Sequence, residues 1–323
     1  MESVSPTVTV IIVSYNTCEQ LGRCLTALVD QGVSQVIVVD NASTDGSIEM
    51  LREVMQRLFP GSITLASSRN LGFGRANNMG LMRAETDLVL YLNSDAYAHQ
   101  GAIARLASTF SDASVVAAGG RLLNPDGSLQ ESVAGRLTLG AVFLEQFFLD
   151  GVARRFGRSY WRTRLLPSDR PSDVEQVMGA CLMVRREVDP RFDERFFLYC
   201  EDTELCHRLQ KQGRIVYDPK AEFTHELGSS SMTNRWRSVA RYNYGKCLYF
   251  RITQGDFPAI LCWILNRMGA FLRVFFGLVA SLPLLVIGGR THEKLVTFLP
   301  VLFASRGDVL PRDFQEPTTP TQS

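Results

Sequence analysis

The sequence predicts an α/β fold: a mostly parallel sheet with helices on both faces. Through residues 8–95, short β-branched runs alternate with stretches whose apolar residues recur at helical spacing. This alternation is typical of parallel strands joined by right-handed crossovers. Each run stops abruptly at polar residues, as buried strands do where a sheet edge carries function. From about residue 257 the chain becomes strongly apolar, which predicts appended C-terminal helices.

The predicted elements follow in order along the chain. Strands are predicted over 8–13, 36–39, 63–65, 88–92, 115–118, 174–184 and 214–217. Helices are predicted over 17–28, 48–58, 76–83 and about 99–110, and from Glu201 onward. Thr17 with Gln20 fits a capping box, in which both side chains bond to backbone N–H groups at the start of a helix. Asn124–Gly127 predicts a turn and a hairpin.

The composition is that of a folded protein with room for one large core and an appendage. The chain has 323 residues, of which 46% are hydrophobic and 21% charged, with a formal net charge of +1. This near-neutral balance gives no indication of nucleic-acid binding. The seven cysteines form no CxxC pair, which predicts reduced thiols in a cytosolic compartment. The N-terminus lacks the basic and apolar regions of a signal peptide, so none is expected.

The apolar C-terminal region predicts contact with a membrane. Its longest stretch without charge, 274–289, is shorter than the ~20 residues that a spanning helix needs. We therefore expect residues 251–308 to form amphipathic helices in the membrane interface, with nearby basic residues facing anionic lipids. The alternative is a helical appendage that packs on the domain or forms a homo-oligomer. The Pro- and Thr-rich tail, 309–323, is predicted to be disordered.

Polar side chains follow four of the predicted strands, at 14–16, 40–41, 69–70 and 93–95. Because parallel strands bring their carboxyl ends to one edge, we expect these groups to line one cleft. Asp40, Asp95, several amides and an arginine suit a nucleotide diphosphate held with Mg²⁺ or Mn²⁺, which bind carboxylates together with substrate phosphates. On the pattern alone, aspartates that merely cap helices remain the alternative. GxGxxG after the first strand and a Walker GK[ST] loop are both absent, which excludes a dinucleotide cofactor and a P-loop NTPase.

Six segments of the sequence resemble glycosyltransferase family 2, and most closely its rhamnosyltransferase-like branch of cell-surface polysaccharide synthesis. They are Val10–Asn16, Val38–Gly46, Asn70–Gly80, Leu92–Asp95, Val177–Val184 and Phe192–Asp202. The resemblance covers residues 7–250. It implies a GT-A fold over 1–250, with a nucleotide-sugar half at 7–125 and an acceptor half at 126–250. It further implies a nucleotide-sugar donor and inversion at the anomeric carbon.

The resemblance also implies roles for individual residues at the donor site. Asp40 is similar to the residue that hydrogen-bonds the pyrimidine base, and Asp95 to the metal-binding carboxylate of a D-x-D element. Asn93 stands where the first Asp of that element is often found, so one carboxylate carries most of the metal binding. His225 resembles a further metal or diphosphate ligand, with a purely structural histidine as the alternative. The other expected donor-binding residues are Ser14, Tyr15, Asn16, Asn41, Arg69, Asn70, Gly74, Asn77, Asn93 and Ser94.

Glu201 and Asp202 look like the catalytic pair of the family. Inverting transfer is a single displacement, in which a carboxylate takes the proton of the attacking acceptor hydroxyl. We expect Asp202 to be this base and Glu201 to orient it or the acceptor sugar, while the metal offsets charge on the leaving diphosphate. The alternative is an acidic pair that only opens a helix, where the helix dipole favours anions. The aromatic and basic stretch 143–164 is expected to form either an acceptor lid near the membrane or a surface subdomain.

The resemblance therefore predicts a glycosyltransferase at the cytoplasmic face of the cell membrane. The expected reaction moves L-rhamnose from dTDP-L-rhamnose to a lipid-linked or polysaccharide acceptor. A transferase using a UDP-hexose or UDP-N-acetylhexosamine is the alternative within the enzyme class, because thymine and uracil present the same N3–H and O4 edge to Asp40. A non-catalytic carbohydrate-binding protein of the same fold is the alternative outside it.

Overall fold

The structure is a computed structural model that describes residues 6–157, 159–226, 234–281, 289–311 and 314. Its strands are β1 Val8–Ser14, β2 Gln35–Asp40, β3 Ile63–Ala66, β4 Leu88–Asn93, β5 Ala96–Ala98, β6 Val115–Leu123, β7 Val133–Ala134, β8 Ser172–Val174, β9 Gln176–Val177, β10 Cys181–Arg185 and β11 Arg214–His225. Its helices are α1 Cys18–Leu28, α2 Ser47–Leu58, α3 Phe73–Leu81, α4 Ala102–Ser108, α5 Leu139–Gln146, α6 Asp150–Arg155, α7 Glu201–Leu209, α8 Arg235–Gln254, α9 Asp256–Ser281, α10 Gly289–Phe303 and α11 Arg306–Val309.

A nine-stranded sheet organises the chain. Its order is β3-β2-β1-β4-β10-β6-β11-β5, with β8 paired to β11. The first four of these strands are mutually parallel, as the β-α alternation predicts. β10 is antiparallel to β4 and β6, whereas β11 is parallel to β6. The half of the sheet with parallel strands is thus joined through β10 to a half that contains both parallel and antiparallel pairs.

Alternate residues of the central strands face two apolar cores. Val10 and Ile12 of β1 lie in the core covered by α1, α2 and α4. Ile11 lies in the core on the opposite face, which α3 and α7 cover. Burial of one such side chain stabilises the fold by roughly 1.5–3 kcal/mol. Burial on both faces explains why these strands read as unbroken apolar runs.

Helix α3 fastens the first half of the sheet to the segment that precedes α7. The side chain of Asn78 pairs with the backbone of Phe192, donating from Nδ2 at 2.9 Å and accepting at Oδ1 at 2.9 Å. The Arg75 guanidinium donates to Glu194 Oε2 at 3.0 Å. The polar side chains of Asn78 and Arg75 therefore serve the joint between the two halves of the domain.

The turn before α3 makes the closest approach across this joint. Phe73 donates its backbone N–H to the Phe197 carbonyl oxygen at 2.8 Å. Gly72 has a φ of +85°, and a Cβ added there would lie 2.4 Å from the same oxygen. Only glycine satisfies both the left-handed backbone and the contact.

The predicted single strand over 174–184 is wrong. The segment forms the C-terminal residue of β8, then β9 and β10, with a turn at Met178–Ala180 between the last two. A Cβ added at Gly179 would lie 3.3 Å from Cβ of Asp202. The strand breaks because this turn bends toward the start of α7, and a glycine inside a strand pattern is an indication of such close approach.

The capping box predicted at Thr17 is also wrong. Helix α1 begins at Cys18 without a side-chain cap. Thr17 Oγ1 instead lies 2.9 Å from both Ser14 Oγ and Ser94 Oγ, because it is buried between the ends of β1 and β4. The turn predicted at Asn124–Gly127 is confirmed by a bond of 2.8 Å from the Gly127 N–H to the Asn124 carbonyl oxygen.

The apolar C-terminal segment forms one continuous helix of 26 residues, α9, rather than several short ones. Its arginines do not interrupt it, because Arg267 donates to backbone carbonyls after α10 and at its end, and Arg273 to those of α5. Within the described ranges, Asp256–Val279 is the one stretch long and apolar enough to cross a membrane by length and composition.

The ordered chain extends beyond the predicted boundary at residue 308. Val309 and Leu310 are buried, and the Phe314 ring packs on Phe197 with the ring centroids 5.3 Å apart. The remainder of the predicted disordered tail, 312–313 and 315–323, lies outside the described residues.

We predict that Gly72→Ala lowers the free energy of unfolding by roughly 2–5 kcal/mol, the sum of left-handed strain and overpacking. Gly255→Ala is the matched control, because Gly255 has nearly the same backbone angles as Gly72 and no heavy atom within 4 Å of an added Cβ. The control is expected to lose only the strain, about 1–2 kcal/mol. Denaturant unfolding of both variants checks this, and equal losses would mean that the Phe197 contact contributes nothing.

Candidate active site

The ends of β1, β2 and β4 bring the predicted donor-binding groups to one edge. Ser14 is paired in register with Asp40, and Val13 with Asn93. The prediction that parallel strands gather these residues is therefore confirmed at the level of the backbone. The bonds of Thr17 to Ser14 and Ser94 tie the same strand ends together through buried hydroxyls.

Asp40 is buried and only partly satisfied. It is 1% exposed, and its Oδ1 accepts the Ser43 backbone N–H at 2.9 Å. Its Oδ2 has no hydrogen-bond partner in the described part of the chain. A buried polar atom without a partner is costly, by about 1–3 kcal/mol, and calls for an explanation. The atom is therefore able to accept a hydrogen bond from a ligand at this strand end.

Asn41 and Asn70 shape the loop beside Asp40. Asn41 Nδ2 donates to Asn70 Oδ1 at 3.1 Å and to the Gly72 carbonyl at 3.3 Å, and its Oδ1 accepts from the Leu71 N–H at 2.8 Å. Asn70 Oδ1 also accepts the Gly72 N–H at 2.9 Å. These amides hold the loop in place, so they position the edge of the cleft. Arg69 lies exposed at the start of the same loop.

Two residues predicted to bind the donor make contacts within the protein. A Cβ added at Gly74 would lie 2.9 Å from Cβ of Phe192, so this glycine permits close contact across the domain joint. Asn77 is 1% exposed and donates to the Phe73 carbonyl within α3 at 3.0 Å. The structure therefore places Gly74 at the joint and gives Asn77 a bond inside α3, while their part in donor binding stays a prediction.

The loop after β1 is fastened to the loop after β2. Asn16 has a φ of +53°, its N–H donates to Ser43 Oγ at 3.0 Å, and its Oδ1 accepts the Thr44 N–H at 2.8 Å. Tyr15 beside it is 42% exposed. Asn16 thus fixes the cleft wall, and the Tyr15 ring is available to a ligand there.

His225, at the end of β11, lies next to Asp95. Its Nε2 is 3.3 Å from Asp95 Oδ1 and 3.2 Å from Asn93 Nδ2. On the other side of the ring, Nδ1 lies 2.7 Å from Gln130 Oε1. Gln130 Nε2 donates to Asn124 Oδ1 and to the His225 carbonyl, which fixes the orientation of the amide. Nδ1 is therefore the donor to Gln130, and Nε2 lies toward Asp95 and Asn93.

This arrangement fits a divalent cation. The Asp95 carboxylate and the His225 imidazole are an oxygen and a nitrogen ligand type, and they lie side by side at the end of β4. They would hold the ion together with oxygens of the substrate diphosphate. The bond from Nδ1 to Gln130 is the kind of support that orients a metal-binding histidine. The described residues contain no cluster of three or more His, Cys, Asp or Glu.

The predicted catalytic pair opens helix α7 after a strained turn. Tyr199 and Cys200 both have left-handed backbones, with φ of +74° and +69°. Such residues cost about 1–3 kcal/mol each and are found at functional sites. Gly245 of α8 makes room for this turn, since a Cβ there would lie 2.5 Å from the Tyr199 carbonyl oxygen.

The turn at Met178–Ala180 connects the pair to the end of β4. The Gly179 N–H donates to Asp202 Oδ2 at 2.9 Å, and the Ala180 carbonyl accepts the Asn93 N–H at 3.1 Å. Asp202 Oδ1 accepts the Thr203 N–H at 2.8 Å. One short turn thus holds both the predicted base and the predicted donor edge.

The two carboxyl groups of the pair have different environments. Burial, with the Asp202 charge second, raises the pKa of Glu201 to about 8, and Glu201 Oε2 has no partner in the described chain. Burial also raises the pKa of Asp202, but the Gly179 and Thr203 N–H groups oppose it. Asp202 also keeps contact with solvent, whereas Glu201 is 5% exposed. Near neutral pH Glu201 holds its proton, which leaves Asp202 as the group able to accept one.

Sequence reasoning missed several residues that support this site. Gln130 and Thr203 orient His225 and Asp202, and Thr17 joins two strand ends. Nothing in the local sequence distinguishes Gln130 or Thr17, because each bonds to a residue far away in the chain. Thr203 follows Asp202 directly, and its contact arises from the turn that opens α7. Gly179 is different: a glycine inside a predicted strand is itself a signal of close backbone approach.

The environment of Glu201 predicts a pH dependence of stability. The folded chain keeps the Glu201 proton to about pH 8, whereas the ordinary pKa is 4.5. The stability linked to this proton is present below pH 4.5 and is lost as the pH rises through 8, at about 1.4 kcal/mol per pH unit between these values. Glu201→Gln keeps the site neutral, so its melting temperature is expected to fall less with rising pH than that of the wild type.

The exposed residue Glu187 provides the control, and Glu187→Gln is expected to follow the wild type. If the melting temperatures of Glu201→Gln and the wild type fall equally as the pH rises from 4.5 to 8, then Glu201 is ionised in the folded protein.

Comparison with known proteins agrees with this geometry. The profile of glycosyl transferase family 2 matches residues 9–191. N-acetylglucosaminyl-diphospho-decaprenol L-rhamnosyltransferase of Mycobacterium tuberculosis is 33% identical over 250 residues, covering 69% of this chain and 76% of that protein. Its length and identity place the two chains in one family.

Solved structures share the fold. The mannosyltransferase PcManGT of Pyrobaculum calidifontis, solved with GDP-Man and Mn²⁺, has a TM-score of 0.55 at 15% identity and covers 93% of this chain and 86% of its own. TarS 1–349 of S. aureus has a TM-score of 0.52 at 16% identity, with 92% and 81% covered. These neighbours confirm the predicted GT-A fold. The chain belongs to glycosyl transferase family 2 and is a nucleotide-sugar glycosyltransferase.

Proposed function

We propose that this protein transfers L-rhamnose from dTDP-L-rhamnose to a lipid-linked acceptor, with inversion at the anomeric carbon. The observation that carries the proposal is the turn at Met178–Ala180, which bonds both to Asp202 and to the end of β4. A proton acceptor and a diphosphate edge held by three adjacent residues suit a single displacement. The 33% identical relative, named as a rhamnosyltransferase acting on a diphospho-decaprenol, supports the donor and the acceptor class.

The donor nucleotide lies at the ends of β1 and β2 in this proposal. Asp40 Oδ2, buried and without a protein partner, accepts the N3–H of the pyrimidine. Tyr15, exposed beside it, contacts the base or ribose. A buried carboxylate oxygen with no partner among the described residues needs a hydrogen-bond donor, and both thymine and uracil present an N–H at N3.

Asp95 and His225 hold Mg²⁺ or Mn²⁺ in this proposal, and Asn93 and Ser94 lie beside the diphosphate. The ion supplies positive charge that offsets the charge developing on the leaving diphosphate. The bond from His225 Nδ1 to Gln130 holds the ring so that Nε2 lies next to Asp95. With a single carboxylate in this set, we expect the ion to bind well only together with the donor diphosphate.

Asp202 removes the proton of the acceptor hydroxyl as it attacks. The Gly179 and Thr203 N–H groups fix the carboxylate while leaving lone pairs for the hydroxyl. Protonated Glu201 lies next to it and limits negative charge in the pocket. This distribution of protons lets Asp202 act as the base near neutral pH.

We further propose that the C-terminal helices hold the enzyme at the cytoplasmic face of the cell membrane. An acceptor linked to a long lipid resides in the bilayer, so an enzyme that contacts the same surface meets it there. The length and apolar character of α9 support this placement.

Asp202→Asn is expected to lower the rate of transfer by at least about 100-fold, since it removes the general base. Donor affinity is expected to stay within a few-fold of the wild type, because Asp202 bonds to Gly179 and Thr203 rather than to the proposed donor-binding residues. The Asn side chain keeps one of these two bonds through its single carbonyl oxygen. Glu187→Gln is the control, because it neutralises an exposed carboxylate outside the candidate site. Near-normal turnover by Asp202→Asn would remove Asp202 from the role of base.

His225→Ala is expected to weaken Mn²⁺ affinity by more than about 10-fold, because loss of even an outer-shell partner has an effect of that size. The affinity is measured from the Mn²⁺ dependence of the thermal shift produced by dTDP. His99→Ala is the matched control, since His99 lies on a neighbouring strand edge and bonds to Thr224 rather than Asp95. Equal Mn²⁺ affinities in both variants would exclude His225 as a ligand. Running the same assay with UDP separates the dTDP donor from the UDP-sugar alternative.

A further inference from the structure

We propose that α9 lies in the plane of an anionic lipid bilayer, and that α6 forms a second part of the same membrane-docking face. This inference rests on the proposed function in one respect, namely that the acceptor is linked to a lipid. It involves two segments that are far apart in the sequence and that the fold brings side by side.

Helix α9 has two opposite faces of different character. Its inward face is buried against the rest of the protein at Ala259, Cys262, Asn266 and Ala270. Its outward face repeats at helical spacing and is apolar over residues 257–279, after the exposed Asp256 at the first position of the helix. The large hydrophobic residues exposed there are Phe257, Ile260, Trp263, Ile264, Met268, Phe271, Phe275, Phe276, Leu278 and Val279.

The inward contacts are incompatible with a helix that spans the bilayer. If α9 crossed it, the neighbours that cover its inward face would have to enter the hydrocarbon as well. Helix α8 carries five cationic residues over 20 positions, including the fully buried Lys246, and α10 is only 15 residues long. A spanning helix needs ~20 predominantly apolar residues, and charged residues at the bilayer centre are strongly disfavoured. Helix α9 therefore presents one face to lipid while the other stays on the protein.

Arg273 fastens the α5–α6 segment to this helix. Its guanidinium donates to the carbonyls of Glu145 and Gln146 at 3.1 Å each, and it lies over the Phe148 ring at 4.6 Å from the centroid. The Phe148 and Phe276 rings are in contact, with centroids 6.2 Å apart. These contacts place α6 at the margin of the outward face of α9.

The contact between α5 and α9 is close as well as specific. A Cβ added at Gly269 would lie 2.0 Å from Gln146 Oε1, so the two helices approach as nearly as a glycine allows. The side chain of Gln146 is itself buried in this contact. The relative placement of α6 and α9 is therefore rigid.

Helix α6 and the residues that flank it continue the apolar surface and add charge. The exposed hydrophobic residues there are Val152 in α6, Phe148 and Leu149 before it, and Phe156 after it, the last exposed at 75%. Arg155 lies exposed between them. Exposed aromatic residues beside an arginine suit the boundary between acyl chains and anionic headgroups.

A lipid bilayer is the occupant that fits this face best. The outward residues run along the full described length of α9 and continue onto α6, forming a long surface of large apolar side chains. Contiguous apolar surface of this extent is rare on soluble monomers and marks a protein or membrane contact. The adjoining cationic side chain and the lipid-linked acceptor of the proposed reaction both favour lipid over a second copy of the chain.

Three full-length proteins with a single tryptophan test the proposal. The chain has three tryptophans, so Trp161→Phe with Trp236→Phe leaves Trp263 as the reporter on α9. Phe271→Trp, at the centre of α9, and Val152→Trp, on α6, are each made in a background that also carries Trp263→Phe. Met82→Trp is the control, because Met82 is 76% exposed at the end of α3.

Fluorescence is measured with phosphatidylcholine–phosphatidylglycerol vesicles brominated near the carbonyl end or near the methyl end of the acyl chain. The proposal predicts that all three reporters are quenched more by the shallow bromines than by the deep ones, in the same ratio, and that the control is not quenched. Stronger quenching of the Phe271→Trp reporter by deep bromines would mean that α9 spans the bilayer. A Val152→Trp reporter that behaves like the control would remove α6 from the face.

Two further measurements separate this proposal from its alternatives. A dimer in sedimentation, with no quenching of any reporter, would assign the face to a second copy of the chain. Transfer to a short-chain, water-soluble acceptor is measured in parallel for each protein. Lack of transfer with normal quenching would contradict the proposed function alone, and normal transfer without quenching would contradict the membrane face alone.

Discussion

The site depends on one close contact, in which the Gly179 N–H lies 2.9 Å from the Asp202 carboxylate. A Cβ at position 179 would lie 3.3 Å from Cβ of Asp202, a tight contact that favours glycine in this turn. The adjoining Ala180 carbonyl holds Asn93 at the end of β4. Two backbone groups of one turn thereby bond to the carboxylate of the candidate base and to the donor edge.

Much of the first half of the molecule follows from its sequence, because two-sided burial leaves a strong pattern. The unbroken apolar runs of β1, β2 and β4 identify parallel strands, and the polar residues after them identify the edge. The position of Asp40, Asp95 and Asn93 at one edge follows from that pattern. The resemblance supplies what the pattern lacks, namely the pairing of this edge with Glu201 and Asp202.

The failures of sequence reasoning share a physical origin in long-range contacts. Thr17 fits a capping box locally, but its hydroxyl bonds to Ser94, 77 residues away. Gly74 packs against Phe192, which belongs to a distant segment of the chain. The arginines of α9 interrupt the apolar segment in the sequence, whereas in the structure each donates to carbonyls of a distant segment. In these three cases the partner is distant in sequence, so no local pattern contains the information.

The adjacent acids of α7 show how the fold gives like residues unlike properties. Glu201 is buried without a partner at Oε2, whereas Asp202 receives two backbone N–H groups, so the proton stays on one and the charge on the other. This arrangement places a candidate base next to the edge proposed to hold the donor diphosphate. The most direct test is incubation of the purified enzyme with a panel of nucleotide sugars and a diphospho-lipid acceptor, with the product read by mass and by the NMR of its anomeric centre. We expect rhamnose to be added from dTDP-L-rhamnose with an anomeric configuration opposite to that of the donor. A product of retained configuration, or no product from any donor, would contradict the claim.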